Sequence, residues 1–156
     1  MVDKKILLFI AHTPSNNTRQ LADAVMKGAQ NEEIEQVIVV RKAPLDVIAD
    51  DILTAKAIII GTTENLGYMA GLTKDVFDRC YYPCLDQTQG MPFAFYIRAG
   101  HDGTGSRRAL ESITTGLRWR LAQPALICRG EFNDGFLKDC EALGLTMAAS
   151  LDAGII

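Results

Sequence analysis

The sequence predicts an open, doubly wound α/β sheet: five parallel strands with helices on both faces. Three observations lead there. Short apolar runs alternate along the whole chain with longer segments whose apolar residues recur at three- and four-residue steps. The runs are almost unbroken in apolar character, as strands covered on both faces must be. The most polar and glycine-rich connections follow the first, third and fourth runs, and in such sheets the loops at the carboxyl ends of the strands carry the ligand. Strict alternation with right-handed crossovers leaves few topologies, of which the order 2-1-3-4-5 suits five strands. The 156 residues are expected to form a single domain, residues 1–156.

The first strand is Lys5 to Ala11, KILLFIA. A helix from about Thr18 to Gln30 carries the stripe Leu21, Ala22, Val25, Met26 and Ala29. Glu35 to Arg41, EQVIVVR, is the second strand. Pro44 breaks the chain before a short helix over Leu45 to Leu53. The third strand, Ala57 to Ile60, gives way at Gly61 to a polar loop and then to a helix with Met69, Leu72, Val76, Phe77 and Cys80 on one face. Pro83 is the expected stop, and Asp86 to Gly90 reads as loop. Met91 to Ile97 is the fourth strand, followed by the loop Arg98 to Gly105 and a helix through Leu110, Ile113 and Leu117. Pro124 opens a last strand, Ala125 to Cys128. The final helix, about Asp134 to Leu151, turns Phe136, Leu137, Cys140, Leu143, Met147 and Leu151 inward.

Composition narrows the function classes. Apolar residues make up 48 % and charged residues 22 %, enough for a core without staples. A net charge of −3 gives no footprint for nucleic acid or an anionic membrane. No apolar run approaches the roughly 20 residues needed to span a bilayer. The start, MVDKK, leads straight into a strand, so a cytoplasmic location is expected. Cys80, Cys84, Cys128 and Cys140 lack the partner spacing of a zinc site and are expected as reduced thiols; no metal is expected. A strained G-x-S-x-G turn is missing, so hydrolase chemistry has no support.

The three loops share one rim of the predicted sheet. Gly, Asn, Ser and Thr in any one of them are also what turns and helix N-termini need; three together point to binding. In the first, Thr13, Ser15, Asn16, Asn17 and Thr18 lie where a strand meets a helix N-terminus, whose free amides favour an anion. The loop has neither the P-loop lysine pattern nor GxGxxG. A single phosphate, as in a mononucleotide, is what remains.

SNNTRQLADAV resembles the phosphate loop and first helix of the flavodoxin and NAD(P)H-dependent FMN reductase group. GTTENLGYMAGLTKDVFDR is similar to the second flavin loop of the flavodoxin-like NAD(P)H:quinone oxidoreductases, with Gly61, Thr62, Gly67, Met69, Gly71, Lys74 and Asp78 in register. AGHDGTGSRRALESI is similar in kind to their third flavin loop. The resemblance covers most of the chain and implies a flavodoxin-like fold with bound FMN. It implies that Thr13, Ser15, Asn16, Asn17 and Thr18 hold the FMN phosphate. Thr62 belongs to the second loop, where Thr63, Glu64, Asn65, Leu66 and Gly67 line the isoalloxazine. Ala99, Gly100, His101 and Gly105 close the pyrimidine side. Tyr68, where the pattern has Asn, either stacks on the flavin or covers the helix start. Thr63 replaces the usual Pro. Glu64 brings a charge that disfavours the anionic reduced flavin, and Arg98 either offsets that charge or holds an acidic substrate. The stretch between Cys80 and Met91 is shorter than in the quinone reductases, so their tetramer is not carried over; a homodimer is the expectation.

Of the two histidines, His101 in the third loop is the candidate catalytic proton donor, with an exposed turn histidine as the plain alternative; His12 is expected to pack under the phosphate loop. Trp119 is expected as a packing residue. The implied activity is electron transfer from NAD(P)H, as co-substrate, through FMN to a quinone, flavin or similar acceptor. The alternative is a flavodoxin-type electron carrier that docks with a redox protein, and a third possibility is a flavin-free binding module.

Overall fold

The computed structural model describes residues 3–156. Met1 and Val2, part of the sequence reading of the N-terminal approach to the first strand, lie outside the described residues. The elements run β1 (Lys5–Ala11), α1 (Asn16–Ala29), β2 (Val37–Lys42), α2 (Ala49–Thr54), β3 (Ala57–Asn65), β4 (Tyr68–Met69), α3 (Gly71–Cys84), β5 (Pro92–Ala99), α4 (Thr104–Gly116), β6 (Arg120–Leu121), β7 (Leu126–Arg129) and α5 (Asp134–Asp152). The sheet order is β2-β1-β3-β5, and β6 and β7 both lie along the far side of β5. All these pairs are parallel. The order is thus the expected 2-1-3-4-5, with the fifth place filled by two short strands. Residues 122–125 separate them, and Pro124, with no N–H to give a ladder, lies in that gap.

Each strand alternates between two apolar layers. Leu7, Phe9, Ile59, Ala94 and Tyr96 face α1 and α5, where they meet Leu21, Val25 and Met147. Leu8, Ile10, Ile58, Ile60, Phe93 and Phe95 face the other way, onto Ile52, Val76, Phe77 and Leu110 from α2, α3 and α4. A fully buried Leu or Ile contributes about 1.5–3 kcal/mol, so the near-continuous apolar strands account for both layers at once. The α1–α5 pair packs backbone to backbone. A Cβ on Gly28 would overlap the Glu141 carbonyl, and one on Gly144 would overlap that of Val25. All four cysteines are buried free thiols; burial pushes the Cys84 thiol up to about 11. Trp119 packs against Phe77 and Phe93 and donates its indole N–H to Thr88 Oγ1 at 2.9 Å. No helix among the described residues is long and apolar enough to cross a membrane.

Several expected boundaries move. The second strand is Val37–Lys42 rather than Glu35 to Arg41. The helix expected over Leu45 to Leu53 is a 3₁₀ turn, Pro44–Asp46, followed by α2, whose first turn is capped as Asp51 accepts the Ile48 amide. Pro83 does not stop α3 but lies in its last turn, where it withholds the one ladder bond to the Arg79 carbonyl and only Cys84 follows it in the helix; the helix closes with Leu85 donating to Tyr81. Helix α1 begins at Asn16 because Ser15 is its N-cap. The largest change is in β3. It does not break at Gly61 but continues to Asn65, because parallel pairing with β5 persists through Thr63↔Arg98.

Candidate functional site at the carboxyl rim

The chain leaves β1 toward β2 on one side and returns to β3 on the other, so the carboxyl ends of β1 and β3 flank a topological switch point. The first loop lies there. The Ser15 and Thr18 side chains form a reciprocal capping box: the Thr18 amide donates to Ser15 Oγ at 3.2 Å, and the Ser15 amide to Thr18 Oγ1 at 2.9 Å. Thr18 Oγ1 also donates to the Ser15 carbonyl at 2.9 Å. The Thr18 hydroxyl, buried and engaged at both ends, therefore shapes the turn and does not face a ligand. What the box leaves outward are the Asn16 and Asn17 amides, their exposed side chains and the Thr13 hydroxyl, none with a partner among the described residues. Exposed Arg19 follows.

Beside this turn is a cleft of about 280 Å³, lined by Ala11, His12, Thr13, Pro14, Ala43, Pro44, Leu45 and Leu72. His12, half-buried just after β1, lines this cleft beside Thr13 and Pro14, and partial burial holds its imidazole below the usual histidine range. The cleft also needs Pro44, Leu45 and Leu72, which the sequence reading left out of the site. Pro44 is buried, and for Leu45 and Leu72 the only signal was apolar character at exposed positions.

The second loop is a β-hairpin. β4 pairs antiparallel with β3 through Glu64↔Met69 and Asn65↔Tyr68. The two residues between the strands, Leu66 and Gly67, both have positive φ, 53° and 76°, the conformation of a type I′ turn. Gly67 signalled that turn; a leucine in the left-handed region disguised it. Thr62 is buried in β3, its hydroxyl 2.8 Å from that of Thr73 and accepting the Ala70 amide, so it braces the hairpin to α3. Thr63 is buried too and donates to Asn65 Oδ1 at 2.7 Å. Leu66 and Tyr68 are exposed at the tip.

The third loop folds against this hairpin. Glu64 reaches across from β3, and its carboxylate accepts the His101 amide at 3.1 Å and the Gly103 amide at 2.8 Å. Gly105 lies so close to the hairpin tip that a Cβ there would overlap the Gly67 carbonyl oxygen. Gly103 caps α4 with φ 70°, no side chain serving as cap, and Asp102 accepts the Thr104 amide at 3.0 Å. Hydrogen bonds from the Thr104 backbone and side chain hold the Asp102 carboxyl below the usual range. Ala99 is buried in the core, whereas Gly100 and His101 are exposed on the loop. Ser106, in the first turn of α4, is buried and its hydroxyl has no partner.

Arg98 does not offset the charge of Glu64. Odd and even positions of β3 and β5 face opposite sides, and Glu64 lies on the α3–α4 side while Arg98 lies on the α1–α5 side. Arg98 donates to the Ala99 and Cys128 carbonyls, both at 2.9 Å, and its guanidinium sits 5.9 Å and 5.4 Å from the Phe132 and Phe136 ring centres. It ties the start of α5 to the sheet.

No protein-family model and no curated protein matches the chain. Solved structures do. A flavodoxin from the domain Archaea superposes with a TM-score of 0.76 at 22 % identity, over 94 % of this chain and 97 % of that one. Two-electron reduced flavodoxin from Megasphaera elsdenii gives 0.75 at 14 % identity, over 92 % and 98 %. A flavodoxin, WrbA-like protein from Agrobacterium tumefaciens gives 0.69 at 16 % identity, over 94 % and 96 %. With the observed strand order, these likenesses establish that the chain has the flavodoxin-like fold.

Proposed function

We propose that this is an FMN-binding redox protein that takes electrons from NAD(P)H and passes them to a quinone, a flavin or a similar acceptor. The observation that carries the reading is the free first turn of α1 at the β1/β3 switch point. The Asn16 and Asn17 amides, and the Thr13 hydroxyl just before them, have no partner among the described residues. Such a turn suits one terminal phosphate, with the helix dipole favouring its charge and Arg19 close by. The donor set fits FMN: a phosphate seat with no P-loop lysine and, along the rim, a hairpin tip with exposed Leu66 and Tyr68 against which an aromatic ring can lie. FMN would supply the hydride and electron chemistry; this chain would bind it, orient it and set the charge around it. That the solved structures resembling this chain include flavodoxins and a WrbA-like protein supports the same reading.

The second reading, a carrier that docks with a redox protein and turns over nothing itself, is favoured by the exposed apolar side chains at the rim, Leu45, Leu66 and Leu72. Titration with FMN, riboflavin and FAD, followed by flavin fluorescence, tests the shared part. FMN is expected to bind tightly, riboflavin more weakly for lack of the phosphate, and FAD poorly. Absence of binding by any of the three removes both readings. Steady-state oxidation of NADH or NADPH with a quinone then separates them, since turnover no faster than with free FMN leaves only the carrier.

A further inference from the structure

The third loop is the part of the rim where the chain satisfies its own donors. Glu64 takes the His101 and Gly103 amides, and Asp102 takes that of Thr104. The arrangement is tertiary: Glu64 belongs to β3, and its side chain spans from one rim loop to the next. Close contact of Gly105 with the Gly67 carbonyl holds the same two loops together a few residues on. A carboxylate bound by two amides is fixed in place and is a strong acceptor. Two consequences follow for anything approaching this side. The His101 and Gly103 amides are already taken, and a carboxylate stands directly in front of them.

We propose that Glu64 gates the flavin site by acting as an internal competitor for the third-loop amides. This rests on the FMN reading above. The oxygen-bearing edge of the flavin pyrimidine would gain the His101 and Gly103 amides only by exchanging with the Glu64 carboxylate. Glu64 is thus a positioning residue that holds the hairpin and third loop clasped until the ligand arrives. It makes binding weaker than the rim would otherwise give, and it opposes negative charge on the bound ring.

The test uses the full chain with Glu64→Ala and Glu64→Gln. Amide hydrogen exchange without flavin reads the clasp: His101 and Gly103 are expected to exchange faster in both variants, and FMN is expected to slow them again. Fluorescence titration reads the gate: Glu64→Ala is expected to bind FMN about tenfold more tightly than the unsubstituted chain, as expected when charged-group hydrogen bonds no longer have to be exchanged. Glu64→Gln, which keeps one acceptor oxygen, should show a smaller gain. A merely structural Glu64 would give weaker binding on substitution, and weaker or unchanged FMN affinity in both variants overturns the gate. Unchanged exchange at His101 and Gly103 overturns the clasp. If neither the unsubstituted chain nor either variant binds flavin, the FMN reading itself falls, an outcome distinct from one in which all bind and the variants bind no better.

Discussion

Two strand-to-helix junctions occupy equivalent positions at the rim, one leading into α1 and the other into α4, and they are finished in opposite ways. Ser15 and Thr18 close the first from within four consecutive residues, and the Asn16 and Asn17 amides point outward. The second has a glycine N-cap with no side chain to offer; Glu64 from a neighbouring strand takes the Gly103 and His101 amides, and Asp102 takes that of Thr104. The same backbone problem, unsatisfied N–H groups at a helix start, is solved within one turn at α1, and at α4 by a local acceptor, Asp102, together with a distant one, Glu64. At α1 the amides of the N-cap and of Thr18 are taken and those of Asn16 and Asn17 are left; at α4 it is the N-cap amide that a distant carboxylate takes.

The sharpest way to break this contrast is to part the hairpin from α4. Gly105→Ala places a Cβ onto the Gly67 carbonyl oxygen, a backbone atom with little room to yield. A loss of about 3 kcal/mol is expected, read from the midpoint of urea unfolding at unchanged slope. The matching change at the first junction is milder. Ser15→Ala removes the N-cap acceptor for the Thr18 amide, and about 1 kcal/mol should be lost in the same measurement. An equal loss from the two substitutions would mean that the third loop does not depend on the hairpin.

The smallest effect concerns pH. Partial burial lowers the His12 pKa from its ordinary 6.5, so the folded state disfavours the imidazolium. Stability is then fully present above the unfolded value, and it falls as pH drops below 6.5 toward the lowered folded value. His12→Gln should flatten the acid side of the stability profile in that window and leave the alkaline side unchanged. A profile of the same shape in the variant would show that His12 is not the group titrating.

The distribution of hits and misses follows the same division. β1 was legible to the residue, because KILLFIA is apolar on both faces and only a doubly covered strand satisfies that. The capping residues Ser15 and Thr18 stood in the text as well, although the Thr18 hydroxyl turned out to serve the cap rather than a ligand. The hairpin was not legible. A polar stretch after Gly61 reads as loop, and only pairing with β5 and β4 makes it strand. Arg98 does not offset Glu64, because Arg98 is in register with Thr63 and strand alternation sends Glu64 to the opposite face.

By itself, then, the sequence determined the alternation of strands and helices, the two apolar layers, the sheet order and the capped turn at the start of α1. All of these depend on periodicity or on residues within one turn of each other. The tertiary structure alone decided the length of β3, the split fifth strand, the Glu64 clasp and the burial of Thr62. Each of those is a hydrogen-bonding account settled between segments far apart in the chain, and no local pattern states which distant group will answer a given amide.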